Sequence, residues 1–97
     1  MKLRYAIGDT IKNLRKERGM PLRDVALYVS LGHLSDIENS KKSASPEVLE
    51  SIASALGITA WQLLLEIAHT MAVEDGTIQI PDTPAELFDQ YSDLVAR

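Results

Sequence analysis

Apolar residues recur at helical spacing along much of this 97-residue chain. Ile7, Ile11 and Leu14 are spaced i, i+4 and i+7, with basic residues on the opposite face. Gly19 follows this stripe and is typical of the left-handed residue that ends a helix. The pattern predicts a first helix over roughly residues 4–18.

A short second helix is predicted after Gly19. Pro21 suits the first position of a helix, where its missing N–H costs no hydrogen bond. Leu22, Val25 and Ala26 give the helix one apolar side, so we expect it to end near Tyr28.

A third helix is predicted to begin after Ser30, whose side chain can accept a hydrogen bond from the N–H of Gly32 or His33. Leu34 and Ile37 then point inward. The residues expected to face outward or to lie at the edge are Leu31, Gly32, His33, Ser35 and Asp36.

Two further helices have well-marked beginnings. Ser45-Pro46-Glu47 predicts a capped fourth helix that ends at Gly57. Thr59-Ala-Trp-Gln62 matches a capping box and predicts a fifth helix to about Val73. Because its apolar residues cover more than one stripe, the fifth helix needs more than one surface to pack against.

The last part of the chain contains a second capping box. Thr77-Ile-Gln-Ile80 alternates briefly, which suits either extended chain or a minimal strand. Thr83-Pro-Ala-Glu86 then predicts a sixth helix. Its apolar stripe consists of Leu87, Phe88, Tyr91, Leu94 and Val95. We therefore expect an all-α protein with one domain over residues 1–73 and an acidic extension over residues 74–97.

The net charge of −4 is unevenly distributed. Residues 1–45 contain nine basic and five acidic side chains, a balance of +4, whereas residues 46–97 contain one basic and nine acidic side chains, a balance of −8. A basic half can contact phosphates, so the acidic total does not exclude nucleic-acid binding. Ordinary scatter of surface charge remains an alternative explanation.

Composition excludes several classes of protein. No apolar run approaches the roughly 20 residues of a membrane span, and the charged Lys2, Arg4 and Asp9 do not suit a signal peptide. There are no cysteines, and the two histidines have no partners at ligand spacing, so we expect no metal and no cofactor. We expect a cytoplasmic protein and, without a nucleophile–base set or paired carboxylates, not an enzyme.

Several short motifs together resemble a known family. They are Leu14-Arg15, Leu22-Arg-Asp-Val-Ala26, Val29-Ser30, Ile37-Glu38-Asn39 and the run from Leu49 to Gly57. Over about residues 5–70 the chain resembles the Cro/C1-type (xenobiotic-response-element-like) helix-turn-helix family, and within it the actinobacterial Clp-gene regulators. This resemblance implies a five-helix lambda-repressor-like domain, here with an added C-terminal amphipathic helix, that acts as a transcriptional regulator.

The resemblance also implies roles for individual residues. The third helix, residues 30–39, would enter the major groove of double-stranded DNA. The residues carried over as DNA-binding are Leu22, Arg23, Ser30, Leu31, Gly32, His33, Asp36, Asn39, Lys41 and Lys42. Arg15 and Glu38 would form a buried structural ion pair.

Two positions depart from the family pattern. The segment Ala26-Leu-Tyr-Val29-Ser30 is about two residues shorter than usual, so the second helix or the turn must be shortened. Ser40 stands where the family has a glycine, although serine tolerates the left-handed conformation less well.

Some assignments remain open at the level of sequence. His33 suits a base contact or packing at the domain edge, Asn39 a helix cap or a phosphate contact, and Lys41 and Lys42 the DNA backbone or a solvated turn. The third helix has no outward Gln or Arg, the side chains that most often contact bases bidentately.

We expect a homodimer that presents two reading helices to two half-sites. The expected dimer or partner surface consists of Trp61, Leu64, Ala68, Met71, Leu87, Phe88, Tyr91 and Leu94. The alternative function is a protein-interaction module, antitoxin-like or an adaptor, that uses the helix-turn-helix as a scaffold and residues 74–97 to bind a partner.

Overall fold

The computed structural model describes the backbone of residues 3–75 and 80–96 and the side chains of residues 3–73 and 80–93. This part of the chain is all-helical, as predicted. Its helices are α1 (Leu3–Glu17), α2 (Leu22–Val25), α3 (Leu31–Glu38), α4 (Pro46–Leu56), α5 (Ala60–Asp75) and α6 (Pro84–Ala96). The predicted extended segment Thr77–Ile80 lies largely outside the described residues.

The predicted helix caps are confirmed. Ser30 Oγ accepts a hydrogen bond of 3.1 Å from the His33 N–H, and Ser45 caps α4 in the same way. Thr59 and Gln62 form a complete capping box, because the Thr59 N–H donates to Gln62 Oε1 at 2.9 Å and the Gln62 N–H to Thr59 Oγ1 at 3.1 Å. These bonds satisfy N–H groups that have no partner within their own helix.

Helix α2 is shorter than predicted and begins one residue later. It spans four residues, with Pro21 as the N-cap rather than the first helical residue. Ala26 ends it because a ψ of 55° is not helical, and the chain then reaches the extended Ser30, whose ψ is 147°. The predicted end near Tyr28 is therefore wrong, and the shortening falls on both helix and turn.

One hydrophobic cluster joins the helices. Helix α1 packs against α3 and α5, and α4 packs against α5. Leu34 and Ile37 of α3 are fully buried, as predicted from their spacing. The largest fully buried side chains are Ile7, Ile11, Val25, Leu34, Ile37, Leu49, Ile52, Leu63, Leu64 and Ile67.

Helix α6 packs on α4 and α5 of its own chain. This corrects the predicted dimer or partner surface, since Leu64, Ala68, Met71, Leu87 and Tyr91 are all less than 9% exposed within the single chain. Trp61 and Phe88 are half-buried, and the Leu94 side chain lies outside the described residues. Much of the apolar stripe of α6 is therefore buried against other helices of the same chain, as expected for an amphipathic helix.

A buried hydrogen bond ties α6 to the loop after α3. The Tyr91 hydroxyl donates to the carbonyl oxygen of Ala44, 47 residues away. Burial raises the pKa of Tyr91 above its ordinary value of 10.0, since the charged phenolate is disfavoured away from water.

The burial of Tyr91 makes stability depend on pH in the alkaline range, because it raises the pKa of the phenol in the folded chain. Above pH 10.0 the unfolded chain loses the Tyr91 proton while the folded chain keeps it, so stability falls as pH rises. Tyr91→Phe should cost roughly 1–2 kcal/mol at neutral pH, by leaving the Ala44 carbonyl unpaired. It should also flatten the fall above pH 10.0 relative to wild type, measured by urea unfolding. An unchanged alkaline fall in the variant would contradict this prediction.

Ser40 adopts the left-handed conformation expected of the family glycine, with a φ of 63°. The Ser40 N–H donates to the Ile37 carbonyl at 3.1 Å, and the Lys41 N–H donates to the Asp36 carbonyl at 2.8 Å. This is a Schellman motif, which usually places glycine at that position. The side chain of Ser40 therefore strains the end of α3.

Ser40→Gly should stabilise the protein by up to about 1 kcal/mol, because the relief of strain exceeds the added freedom of the unfolded chain. Gly19 offers the matched control, since its φ is also 63° and a Cβ there would meet no atom within 4 Å. Gly19→Ser should destabilise by a similar amount in thermal unfolding. Equal midpoints for wild type and Ser40→Gly would contradict the prediction.

No single described helix is long and apolar enough to cross a membrane. Helix α4 and residues 60–73 reach that length and apolar character only when taken together, and the angle between them is 103°.

Candidate nucleic-acid interface

Helix α3 is half in the core and half in solvent. Its inner face holds Leu34 and Ile37, whereas Leu31 at its first position is 51% exposed. Gly32 is exposed, and His33 and Asp36 are half-buried. These four residues, all among those predicted to bind DNA, therefore lie on or beside an accessible face of the helix.

Polar side chains along α3 are partly engaged with one another. Lys42 Nζ lies 3.6 Å from Asp36 Oδ2, and Asn39 Nδ2 lies 3.4 Å from Ser35 Oγ. The lysine offsets the negative charge that Asp36 would present to a phosphate. Asn39 is the C-cap residue of α3 and is exposed.

Basic groups lie at both ends of the motif. Arg23 in α2 and Lys41 and Lys42 after α3 are exposed. The Lys41 carbonyl accepts a 3.3 Å hydrogen bond from Arg4 Nη1, which links the start of α1 to the loop after α3. Three exposed cations thus flank α3 along the chain, an arrangement that suits phosphate contacts.

Two residues carried over from the family play different parts in the structure. Leu22 is half-buried and packs against the core, so its side chain is turned to apolar neighbours. Ser30 Oγ is engaged by the His33 N–H. A phosphate could therefore contact Leu22 only through its backbone. It could contact Ser30 through its backbone or through the hydroxyl that also caps α3.

Arg15 and Glu38 form a bidentate ion pair that anchors the end of α3 to α1. Arg15 Nε lies 2.8 Å from Glu38 Oε2 and Arg15 Nη2 lies 3.0 Å from Oε1. The side chains are 15% and 4% exposed, and Arg15 Nη1 also donates to the Met20 carbonyl at 2.9 Å. The hydrogen bond that Arg15 donates to Glu38 raises the pKa of Arg15, against an opposing effect of burial.

Gly8 sets how closely α1 approaches the end of α3. A Cβ at this position would lie 2.6 Å from the Ile37 carbonyl oxygen and 2.9 Å from that of Glu38. Real Cβ atoms do not approach backbone oxygens so closely, so only glycine fits here without a shift of the backbone. The sequence gives no local signal for this role, because Gly8 lies in the middle of a helix.

Leu27 and Tyr28 in the shortened turn are also missing from the residues chosen by sequence. They are 60% and 78% exposed, directly before the cap of α3. The sequence predicts that the second helix extends to about Tyr28. With α2 ending at Val25, they are left on the surface instead.

Comparison with known proteins gives consistent matches. A helix-turn-helix family model matches residues 11–60. The chain is similar to transcriptional regulator ClgR of Mycobacterium tuberculosis, at 35% identity over 75 residues, covering 75% of this chain and 67% of that protein. It is also similar to HTH-type transcriptional regulator DdrOP3 of Deinococcus deserti, at 41% identity over 58 residues, covering 58% of this chain and 45% of that protein.

The fold is similar to that of a solved relative. The crystal structure of the clp gene regulator ClgR from Corynebacterium glutamicum superposes with a TM-score of 0.68 and 37% identity, over 76% of this chain and 81% of that one. A second crystal structure of that regulator gives a TM-score of 0.65 at 38% identity, over 73% of this chain and 95% of that one.

Proposed function

Because this chain belongs to the helix-turn-helix family, we propose that it is a sequence-specific DNA-binding transcriptional regulator. The observation that carries the proposal is that α3 is held firmly on one side and exposed on the other. Its inner face is buried and its end is fixed by the Arg15–Glu38 pair, while its first residues are exposed between cationic side chains. Relatives that are similar in sequence or in structure are named as regulators, which supports the same function.

In the proposed complex α3 lies in the major groove. Leu31, Gly32 and His33 face the base edges, and Arg23, Lys41 and Lys42 contact phosphates on either side. The Asp36–Lys42 pair keeps the carboxylate from repelling the backbone. Residues 1–73 form the DNA-binding part in this proposal, and residues 74–97 contribute α6, which stabilises it. With DNA as the ligand, the proposed location is the cytoplasm.

We also propose that the regulator binds as a homodimer. Paired reading helices match half-sites about one helical turn apart, so a two-fold operator mirrors a two-fold protein. The surface predicted from sequence is largely covered by α6 on α5, so the dimer needs another contact. A monomer in sedimentation analysis, both free and bound to a two-fold site, would rule this out.

The phosphate contacts can be tested by removing two cations. Lys41→Ala/Lys42→Ala should weaken binding by a similar factor on all duplex sequences, because phosphates carry no sequence information. The logarithm of affinity falls linearly with the logarithm of salt concentration, and the magnitude of this negative slope should decrease by about two. Fluorescence anisotropy at several salt concentrations measures both effects.

The matched control keeps the charges. Lys41→Arg/Lys42→Arg should retain the wild-type salt slope, since the arginines can contact the same phosphates. If the alanine double variant keeps both the wild-type affinity and the wild-type slope, these lysines do not contact DNA.

A further inference from the structure

Exposed apolar side chains lie close together in sequence in the turn before α3 and at its first residue. Five large apolar side chains among the described residues are more than half exposed, and three of them fall within five consecutive positions. These three are Leu27, Tyr28 and Leu31, at 60%, 78% and 51% exposure. A group of exposed apolar side chains on a folded chain often marks a surface that meets a partner.

Apart from His33, which also faces the base edges in the proposed complex, few polar side chains along α3 are left for base recognition. Asp36 is paired with Lys42, and Asn39 is directed to Ser35. The hydroxyl of Ser30 is engaged in capping. Neither Arg nor Gln occurs within α3, so bidentate contacts with guanine or adenine from those side chains are not available along the helix.

Apolar contact remains available, and the major groove offers one apolar feature, the C5-methyl group of thymine. We propose that Leu31 is a specificity-determining residue that reads a thymine methyl group. The inference rests on the proposed function, and deepens it by naming the chemical feature of DNA that α3 recognises.

Thymine and uracil differ only by this methyl group, which gives a direct test. Duplexes that bind wild-type protein are first selected from a random-sequence pool, and the best is synthesised with thymine and with deoxyuridine throughout. Wild type should bind the deoxyuridine duplex less tightly, by about four-fold for each contacted methyl group. Leu31→Ala should bind the two duplexes with nearly equal affinity.

Val73 provides the matched control, because it is an 83% exposed aliphatic residue on α5. Val73→Ala should keep the wild-type preference for thymine. The inference is overturned if wild type binds both duplexes equally, or if Leu31→Ala keeps the full preference. Equal binding leaves the DNA-binding function standing, whereas failure to bind any duplex overturns the function and the inference together.

Discussion

Replacing Arg15 by leucine should lower the free energy of unfolding by about 3–5 kcal/mol, because it leaves a carboxylate buried without its partner. The Glu38 side chain is 4% exposed and receives two hydrogen bonds from Arg15. The variant also loses the bond to the Met20 carbonyl. Urea unfolding followed by circular dichroism measures the change.

A second variant separates the cost of the orphaned charge from the value of the pair. Arg15→Leu/Glu38→Leu removes both charges, and buried ion pairs replaced by apolar residues are often nearly neutral. The double variant should therefore be more stable than Arg15→Leu alone. If instead the two substitutions destabilise additively, the ion pair is not the main reason for the loss.

Gly8→Ala should destabilise the protein by about 1–3 kcal/mol, although alanine favours helices. The added methyl group would lie 2.6 Å from the Ile37 carbonyl oxygen, which belongs to the backbone and cannot rotate away. Helix α3 must then move away from α1, which also strains the Arg15–Glu38 pair. Thermal unfolding measures the loss of stability.

Gly32 supplies the control for this substitution. It lies in α3, and a Cβ there would meet no atom within 4 Å. Gly32→Ala should be neutral or should stabilise the protein by up to about 1 kcal/mol, because it removes a glycine from a helix. A Gly8→Ala variant as stable as Gly32→Ala would show that α1 and α3 are not in such close contact.

The sequence is most informative where structure is local. The caps at Ser30, Ser45 and Thr59 can be predicted from sequence because the N–H that each side chain binds lies only three residues further along the chain. The inward positions of Leu34 and Ile37 follow from helical spacing in the same way. The left-handed backbone at Ser40 could be predicted because the residues around it resemble a family whose members have glycine there.

Contacts between distant segments could not be predicted from the pattern alone. The stripe on α6 indicates that it packs, but not on which surface, and the bond from Tyr91 to Ala44 spans 47 residues. The close approach at Gly8 depends on a neighbouring helix rather than on its own. Leu27 and Tyr28 are exposed because α2 ends early, at Val25. That early end goes with the short segment between Ala26 and Ser30, which periodicity alone does not reveal.

The most direct test of the proposed regulator is its binding to the DNA upstream of its own gene over a range of salt concentrations, with a random duplex as competitor. The proposal predicts binding that weakens steeply and linearly on logarithmic axes as salt rises, with preference for the upstream sequence. Absence of binding to either duplex even at low salt would contradict it.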